Sequence, residues 1–354
     1  MKIRTAKRSK QIVPVFFATD DNYAPYLAVA IRSLIDNSSS LNDYRIHILS
    51  TGLNKHNEDI LLGMQTSNVS IGFTDVSHKM NAICSRLHLR DYYTGATYYR
   101  FFIPEMFPEY DRGLYLDCDI AMSRDVAELY DCQLGANLVG AIPDEVITDI
   151  DIFARYSEIV LNIPKDLYFN AGILVMNLDA MRKMNILRVF SDLLSKYTYR
   201  VAQDQDYLNV ICRGRVKYID KTWNKTPMPC NCDPNNIPAI AHYKINYKPW
   251  RYDDVIYGGI FWEYAARTPF YDSLMQMQAQ YTPKEKARDA AQYEALVQLA
   301  KDEVNAVIDA YYSSTKDDFL DPYVEDSADV EYVFSPDPLC DIVKCKGETL
   351  LEVI

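Results

Sequence analysis

Residues 114–120 read Leu-Tyr-Leu-Asp-Cys-Asp-Ile, an apolar stretch that runs directly into two carboxylates, Asp117 and Asp119. A strand at this position would present both carboxylates at one edge of a sheet. Hard oxygen ligands of this kind suit Mg²⁺ or Mn²⁺ bridging to a diphosphate. The same spacing recurs at 149–151 and 204–206, so spacing alone leaves open a solvated turn at the strand end.

The sequence around this stretch alternates short apolar runs with amphipathic segments. This alternation predicts an α/β fold in which helices pack on a mostly parallel sheet. In the first helical segment, Leu27, Ala30, Ile31 and Leu34 recur at helical spacing. The predicted strands are residues 12–18, 44–49, 69–73, 113–116, 138–142, 171–176 and 216–219, and the predicted helices are residues 26–36, 54–66 and 185–199.

The pattern changes past Trp250. A segment rich in aromatic residues is followed by a polar helical stretch at about 284–312, and the remainder is acidic with several prolines. We expect this last part to be loosely packed or partly disordered. The predicted organisation is a basic N-terminal segment (1–11), an α/β domain (12–252), a small helical C-terminal region (253–312) and an acidic tail (313–354).

The length of 354 residues allows one α/β domain of roughly 250 residues plus an appendage. The composition, 49% hydrophobic and 24% charged, is that of a soluble globular protein. Basic residues 1–10 followed by the apolar run 12–18 resemble a signal peptide, but the run contains Pro14 and ends at Asp20. Because no apolar stretch has the length to cross a bilayer, we expect no transmembrane anchor and a cytoplasmic protein.

The eight cysteines form no C-x-x-C pair, so we expect reduced thiols. Cys230 and Cys232 leave open a metal or redox site, with ordinary surface or core cysteines as the alternative.

The formal net charge is −12, and most of it lies at the C-terminal end. Residues 301–354 contain 14 acidic and 4 basic residues, a net charge of −10, so the other 300 residues carry only −2. Nucleic-acid binding needs a concentrated basic surface. The charge distribution therefore argues against a nucleic-acid partner.

Several polar clusters directly follow predicted strands, at 20–23, 117–119 and 143–145. In open α/β sheets, ligands bind outside the carboxyl ends of the strands. We therefore expect these clusters to converge on one site.

A further cluster contains His242 and Lys248, which precede a Pro-Trp pair at 249–250. A histidine beside two carboxylates would favour Mn²⁺ over Mg²⁺, because imidazole is a softer ligand. Lys248 could neutralise a diphosphate. The alternative for this segment alone is a surface His and Lys near a buried Trp.

Two other clusters have features of a sugar-binding site. Asn170 could hydrogen-bond a hydroxyl at the start of an apolar strand, and Gly172 would let the backbone approach a ligand closely. The acidic segment 204–206 precedes a helical stretch, with an N-terminal helix cap as the alternative.

In this order, the clusters resemble glycosyltransferase family 8, which includes bacterial lipopolysaccharide glucosyl- and galactosyltransferases and the glycogenins. The family pattern opens with a strand and a D-x-N-Y turn and closes on His-x5-Lys-Pro-Trp. The match spans about residues 12–250. The matching segments are residues 17–23, 98–100, 114–119, 169–172, 204–206 and 242–250.

The resemblance implies a GT-A fold, a Rossmann-like mixed sheet flanked by helices that binds a nucleotide sugar. It also implies Mn²⁺ (or Mg²⁺) as cofactor and a UDP-sugar as donor. The implied contacts are Ala18, Asp20, Asn22 and Tyr23 to uracil and ribose, Arg100 and Lys248 to the diphosphate, Asp117 to ribose and metal, Asp119 and His242 to the metal, and Asn170, Asp204 and Gln205 to the hexose.

The implied activity is that of a retaining α-glycosyltransferase moving glucose or galactose from the UDP-sugar to a saccharide or glycoconjugate acceptor. Its main chemical task is to stabilise the negative charge that builds on the leaving UDP. Gln205 is a poor nucleophile, which favours front-face attack with the leaving phosphate as base. Asp206 is the alternative catalytic participant, and Asp204 lies in the same segment.

The chain departs from the family pattern in two places. Ile245 stands where the family often has a glycine whose backbone packs against phosphate. The acidic tail replaces the basic, aromatic tail with which lipopolysaccharide-type members dock on membranes. The basic residues in 1–10 allow at most a weak peripheral membrane contact.

Three alternative functions remain at this point. The 28 tyrosines permit a glycogenin-like enzyme that glucosylates itself. A sugar nucleotidyltransferase would need a Gly-rich phosphate loop after the first strand, and residues 20–23 contain none. A non-catalytic carbohydrate- or partner-binding module is the third. Nothing in the sequence indicates an oligomeric state.

Overall fold

The structure of the chain is a computed structural model that describes residues 10–83, 87, 95–228, 233, 236–315, 330–334, 341–345 and 348–353. Most of the predicted basic N-terminal segment and the Cys230 and Cys232 pair lie outside the described residues. Of the cysteines within them, Cys118, Cys132 and Cys212 are free thiols.

Within the described residues, the largest sheet has seven strands in the order β3-β2-β1-β4-β7-β6-β8. All predicted strands are present, with ends that coincide or differ by one or two residues. Strand β7 runs antiparallel to both of its neighbours, whereas the other neighbouring pairs are parallel. The strands are β1 Gln11–Ala18, β2 Asn42–Ser50, β3 Val69–Asp75, β4 Arg112–Leu116, β5 Ile120–Met122, β6 Val139–Pro143, β7 Phe169–Asn177, β8 Val216–Tyr218 and β9 Ile240–His242.

Helices connect these strands, and each predicted helix is present. Strand β1 is buried on both faces from Val13 to Phe17, as expected for an interior strand covered by helices. The helices are α1 Ala24–Asn37, α2 Lys55–Leu62, α3 Ser77–Asn81, α4 Ile103–Met106, α5 Val126–Tyr130, α6 Glu145–Asp149, α7 Asp151–Ile159, α8 Leu178–Met184, α9 Ile186–Lys196, α10 Asp204–Cys212, α11 Gly258–Ala265, α12 Tyr271–Ala279 and α13 Pro283–Thr315.

The reversed direction of β7 determines which residues meet at the functional edge of the sheet. Leu116, the last residue of β4, pairs with Ile173 in the middle of β7, so the residues after β4 face the first half of β7. The amide of Asp117 donates to the carbonyl of Gly172 at 2.7 Å. The polar residues that follow β4 therefore lie beside the polar residues that begin β7.

A small antiparallel pair, β5 and β9, continues from this edge. Ile120 pairs with His242, and the amide of Tyr243 donates to the carbonyl of Asp119 at 2.9 Å. This pairing brings the distant histidine next to the carboxylates that follow β4.

The helical C-terminal region consists of α11, α12 and α13, and its presence was predicted. Helix α1 packs against α11, and Asn37 donates to the hydroxyl of Tyr264 at 2.8 Å. Further along, the tail contains strands that the sequence did not predict, in an antiparallel sheet β10-β11-β12. These are β10 Val330–Phe334, β11 Asp341–Cys345 and β12 Glu348–Val353.

The chain divides into two compact units, residues 1–145 with 169–295, and residues 146–168 with 296–354. The first contains the seven-stranded sheet, β5, β9, α11 and α12. The second contains α7 and the tail strands. In the part of the chain that the structure describes, no helix combines the length and apolar character that crossing a membrane requires.

Candidate active site

Asp117, Asp119 and His242 converge at the carboxyl end of β4. One ligand atom from each lies within 4.8 Å of the others. Nε2 of His242 is 3.2 Å from Oδ1 of Asp119 and 3.7 Å from Oδ2 of Asp117. The histidine is 2% exposed, so the alternative of a surface histidine is wrong. The carboxylates are also largely covered, which excludes a fully solvated turn.

Gly172 provides the space in which these groups meet. A Cβ at this position would lie 2.3 Å from Oδ2 of Asp117 and 2.5 Å from Cε1 of His242. Both distances are far below van der Waals contact, so glycine is required there for steric reasons. Two carboxylates and an imidazole around this space form a donor set suited to Mn²⁺ or Mg²⁺.

Lys248 lies on the other side of Asp119. Its Nζ is 2.5 Å from Oδ2 of Asp119 and also donates to the carbonyl of Tyr243. Burial raises the pKa of Asp119, but the charge of the Lys248 ammonium, together with the adjacent His242, outweighs it and holds this pKa well below its usual range. Trp250, two residues on, is buried and stacks on Tyr26 with a centroid distance of 3.9 Å, which anchors the loop.

Arg100 lies at the base of the site and is almost fully buried. Its guanidinium is 3.3 Å from Oδ1 of Asp117 and 3.2 Å from Oδ2 of Asp204. It also donates to the carbonyl of Ala171 and stacks over Tyr115 at 4.2 Å. Arg100 therefore orients two of the predicted site carboxylates, and its implied contact to a diphosphate stays a prediction.

The three residues 204–206 at the start of α10 have different environments. Burial raises the pKa of Asp204 to about 7, against the opposing charge of Arg100. Asp206 is fully buried and accepts from the amide of Ala202 at 2.9 Å, as a residue supporting the helix start would. Gln205 is only partly covered.

Gln205 joins a network of amides around Asn170. Oε1 of Gln205 accepts from the amide of Ala171 at 2.9 Å and from Nδ2 of Asn170 at 3.0 Å. Nδ2 of Asn170 also donates to Asp144 at 2.8 Å, and Lys244 pairs with the other oxygen of Asp144 at 3.1 Å. The predicted hexose contacts thus share one network.

Three residues of this network had no predicted contact with the metal or the donor, although Asp144 belongs to the predicted cluster 143–145. Asp144 follows β6, and its position after a strand was the available signal. Lys244 is two residues after His242 and gave no signal that separates it from any surface lysine. Asn224 contacts Nδ1 of His242 at 2.8 Å from a short 3-10 helix, Lys221–Asn224, which no motif marks.

The predicted nucleotide-binding turn follows β1 and adjoins the carboxylates. The thiol of Cys118 donates to the carbonyl of Ala18 at 3.2 Å. The amide of Tyr23 donates to Oδ1 of Asp20 at 3.1 Å, which closes the turn before α1. Asn22 is exposed and Tyr23 is half-buried, so part of each side chain is accessible to solvent.

Ile245 has a backbone φ of 59°, in the left-handed region that β-branched residues rarely adopt. A glycine at this position would adopt the same conformation without the steric cost that the Ile245 side chain carries.

The mixed sheet, the carboxylate pair at the end of β4 and the histidine from β9 define the GT-A class of nucleotide-sugar-binding folds. The family model "Glycosyl transferase family 8" matches residues 14–254, and the chain belongs to this family. Membership favours glycosyl transfer over nucleotidyl transfer.

Individual relatives agree with this assignment. A "Putative glycosyltransferase" of Haemophilus influenzae is 30% identical over 61% of this chain and 64% of its own length. The "Lipopolysaccharide 1,3-galactosyltransferase" of Salmonella typhimurium is 32% identical over 45% of this chain and half of its own length. The solved galactosyltransferase LgtC, in complex with donor and acceptor sugar analogues, superposes with a TM-score of 0.62 at 26% identity, covering 73% of this chain and 96% of LgtC.

Proposed function

We propose that the chain is a retaining α-glycosyltransferase that moves glucose or galactose from a UDP-sugar to a saccharide or glycoconjugate acceptor in the presence of Mn²⁺. The observation that carries the proposal is the convergence of Asp117, Asp119 and His242 on one point beside Lys248. A carboxylate pair, an imidazole and a buried ammonium together suit a cation and a diphosphate.

In this proposal each cluster binds one part of the donor. Metal binding is assigned to Asp117, Asp119 and His242, and phosphate binding to Lys248. A bound divalent cation would supply electrophilic stabilisation of the departing diphosphate. The remaining assignments are Ala18, Asp20, Asn22 and Tyr23 to uracil and ribose, Arg100 to the diphosphate and the orientation of Asp117, and Asn170, Asp204 and Gln205 to the hexose.

We attribute retention of the anomeric configuration to front-face attack, in which the acceptor approaches the sugar on the face from which the diphosphate leaves. The side chain of Gln205 is committed to Ala171, Asn170 and Asp144, and a neutral amide is a weak nucleophile. Asp206 is fully buried, which argues against its direct attack on the anomeric carbon. We therefore assign the acceptor's proton to an oxygen of the leaving phosphate as the new C–O bond forms and the old one breaks on the same face.

A panel of UDP-sugars tests the donor assignment. Purified full-length chain is incubated with Mn²⁺ and each UDP-hexose, and released UDP is measured, followed by proton NMR of the glycoside formed on an added saccharide acceptor. We expect release from UDP-glucose or UDP-galactose and an α-anomeric product. Release from neither, or a β-anomeric product, would overturn the proposal. Mass spectrometry of the incubated protein separates acceptor transfer from self-glucosylation, which adds hexoses to the chain.

A further inference from the structure

This inference rests on the proposed metal site and concerns the ring of His242. A neutral imidazole carries one N–H, and the hydrogen bond at one nitrogen decides which of the two has the free lone pair. A histidine that binds a metal through Nε2 must keep its proton on Nδ1. The structure contains a chain of contacts that determines this choice.

The chain of contacts begins at a backbone amide. The N–H of Gly172 points to Oδ1 of Asn170 at 3.0 Å. A backbone N–H can only donate, so this side-chain atom must be the acceptor oxygen and the amide of Asn170 cannot be reversed. Asn170 is 6% exposed, so bulk water does not offer an alternative partner.

The other end of the Asn170 side chain agrees with this orientation. Nδ2 faces Oδ2 of Asp144 at 2.8 Å and Oε1 of Gln205 at 3.0 Å. Asp144 is paired with Lys244 and therefore accepts. Oε1 of Gln205 also accepts, because the backbone N–H of Ala171 points to it at 2.9 Å. Two backbone amides thus fix the same orientation independently.

The orientation of the Asn170 amide in turn determines that of Asn224, which is 1% exposed. Because Oδ1 of Asn170 is an acceptor, the atom of Asn224 that faces it at 2.8 Å must be the donor Nδ2. Oδ1 of Asn224 then faces Nδ1 of His242 at 2.8 Å. An oxygen at that distance requires the proton on Nδ1.

We propose that Asn224 is a positioning residue that holds His242 in the Nδ1–H tautomer, with Nε2 free to bind the metal. Nε2 then faces Oδ1 of Asp119 and Oδ2 of Asp117 as a third acceptor. Three acceptors directed at one another repel unless a cation lies among them. Outer hydrogen bonds of this kind fix the tautomer and orientation of metal-binding histidines.

The test uses nitrogen NMR of the chain labelled with ¹⁵N-histidine, without metal, at a pH where the ring nitrogen shifts of His242 report a single N–H. His242 is one of five histidines, and a His242→Gln sample identifies its signals. We expect a protonated Nδ1 and an unprotonated Nε2. In Asn224→Leu, which has the same branched heavy-atom skeleton but no polar atoms, the proton should move to Nε2, where Asp119 can accept it. Asn224→Asp keeps an acceptor and should keep Nδ1–H, although its second oxygen then faces Oδ1 of Asn170.

Mn²⁺ affinity, measured by electron paramagnetic resonance on the same variants, gives the functional readout. Asn224→Leu should bind Mn²⁺ about 10- to 100-fold more weakly, and Asn224→Asp should stay close to wild type. Circular dichroism confirms that each variant is folded. Protonation at Nε2 in the wild type, or wild-type Mn²⁺ affinity in Asn224→Leu, would overturn the proposal. The NMR result does not depend on glycosyl transfer, so failure of this proposal and failure of the proposed function are distinguishable.

Discussion

Gly172 and Asp117 lie so close together that a Cβ on Gly172 would be 2.3 Å from Oδ2 of the carboxylate. The contact follows from the antiparallel pairing of β4 with β7 and from the hydrogen bond between the Asp117 amide and the Gly172 carbonyl. The site therefore depends on a glycine that provides space and not on an unusual backbone conformation.

Gly172→Ala is expected to destabilise the fold by about 1–3 kcal/mol, because the methyl group must displace Asp117 or His242. Mn²⁺ binding should weaken with it. Denaturant unfolding and Mn²⁺ titration measure the two effects. Gly72→Ala, in β3, is the matched control, since a Cβ there meets nothing within 4 Å. Equal behaviour of the two variants would contradict the steric role of Gly172.

Ile245→Gly is expected to leave stability nearly unchanged or to raise it. A residue with a side chain is destabilised by about 1–2 kcal/mol in the left-handed conformation of Ile245, and glycine is not. This gain offsets the roughly 0.5–1 kcal/mol that glycine costs in backbone entropy. The same replacement at Ile60, half-buried in α2, should destabilise by about 1 kcal/mol or more. Urea unfolding of both variants checks the difference, and a comparable loss at both positions would show that Ile245 is unstrained.

The buried carboxyl of Asp204 should make stability depend on pH. Burial raises its folded-state pKa from 3.8 to about 7, so the folded chain holds this proton more tightly than the unfolded chain. The stability that the protonated Asp204 carboxyl contributes is fully present below the pKa of the unfolded chain and is lost as the pH rises through the pKa of the folded chain. The unfolding free energy of the wild type minus that of Asp204→Asn should therefore fall between pH 4 and pH 7. A flat difference for Asp204 would refute the assignment.

Asp289, near the start of α13, fixes the loop that carries Lys248. Its carboxylate lies 3.3 Å from Arg251 and accepts from the hydroxyls of Tyr252 and Tyr281, and its carbonyl accepts from Asn246. Asp289→Asn should destabilise the chain by about 2 kcal/mol, as expected for lost hydrogen bonds to a charged group.

The same substitution should raise the KM for the UDP-sugar, because Lys248 would be held less firmly. Asp302→Asn is the control on the same helix, since Asp302 is exposed. Thermal unfolding and initial rates measure the two effects. A variant that loses stability but keeps the wild-type KM would limit Asp289 to a structural role.

The strand pattern was predictable because most interior strands contain a short apolar run between polar turns, whereas β2 alternates apolar residues with Arg45 and His47. The predicted clusters at 20–23, 117–119 and 143–145 follow β1, β4 and β6 at the same edge, as the parallel arrangement of these strands requires. The contribution of His242 was expected only from the family pattern. Its physical cause, the β5–β9 pairing, involves strands of three residues, which are too short for a periodicity argument.

Other features depend on contacts that no local pattern encodes. The reversed direction of β7 brings Asn170 to the functional edge from the start of a strand and not from its end. Asn224 links Asn170 and His242 by side-chain hydrogen bonds, although it lies 54 and 18 positions away from them in the sequence. The strands of the acidic tail went unpredicted because the prolines and charge there favoured an irregular chain.

The central claim is that Asp117, Asp119 and His242 form the metal site of a UDP-sugar transferase, and Mn²⁺-dependent UDP release in Asp119→Asn tests it most directly. Wild type should release UDP from the UDP-hexose that it uses best, and a chelator should abolish the release. Asp119→Asn should lower the rate by on the order of 100-fold or more, whereas the exposed Asp59→Asn should match wild type. UDP release that is unaffected by the chelator, and equal in Asp119→Asn and wild type, would contradict the account.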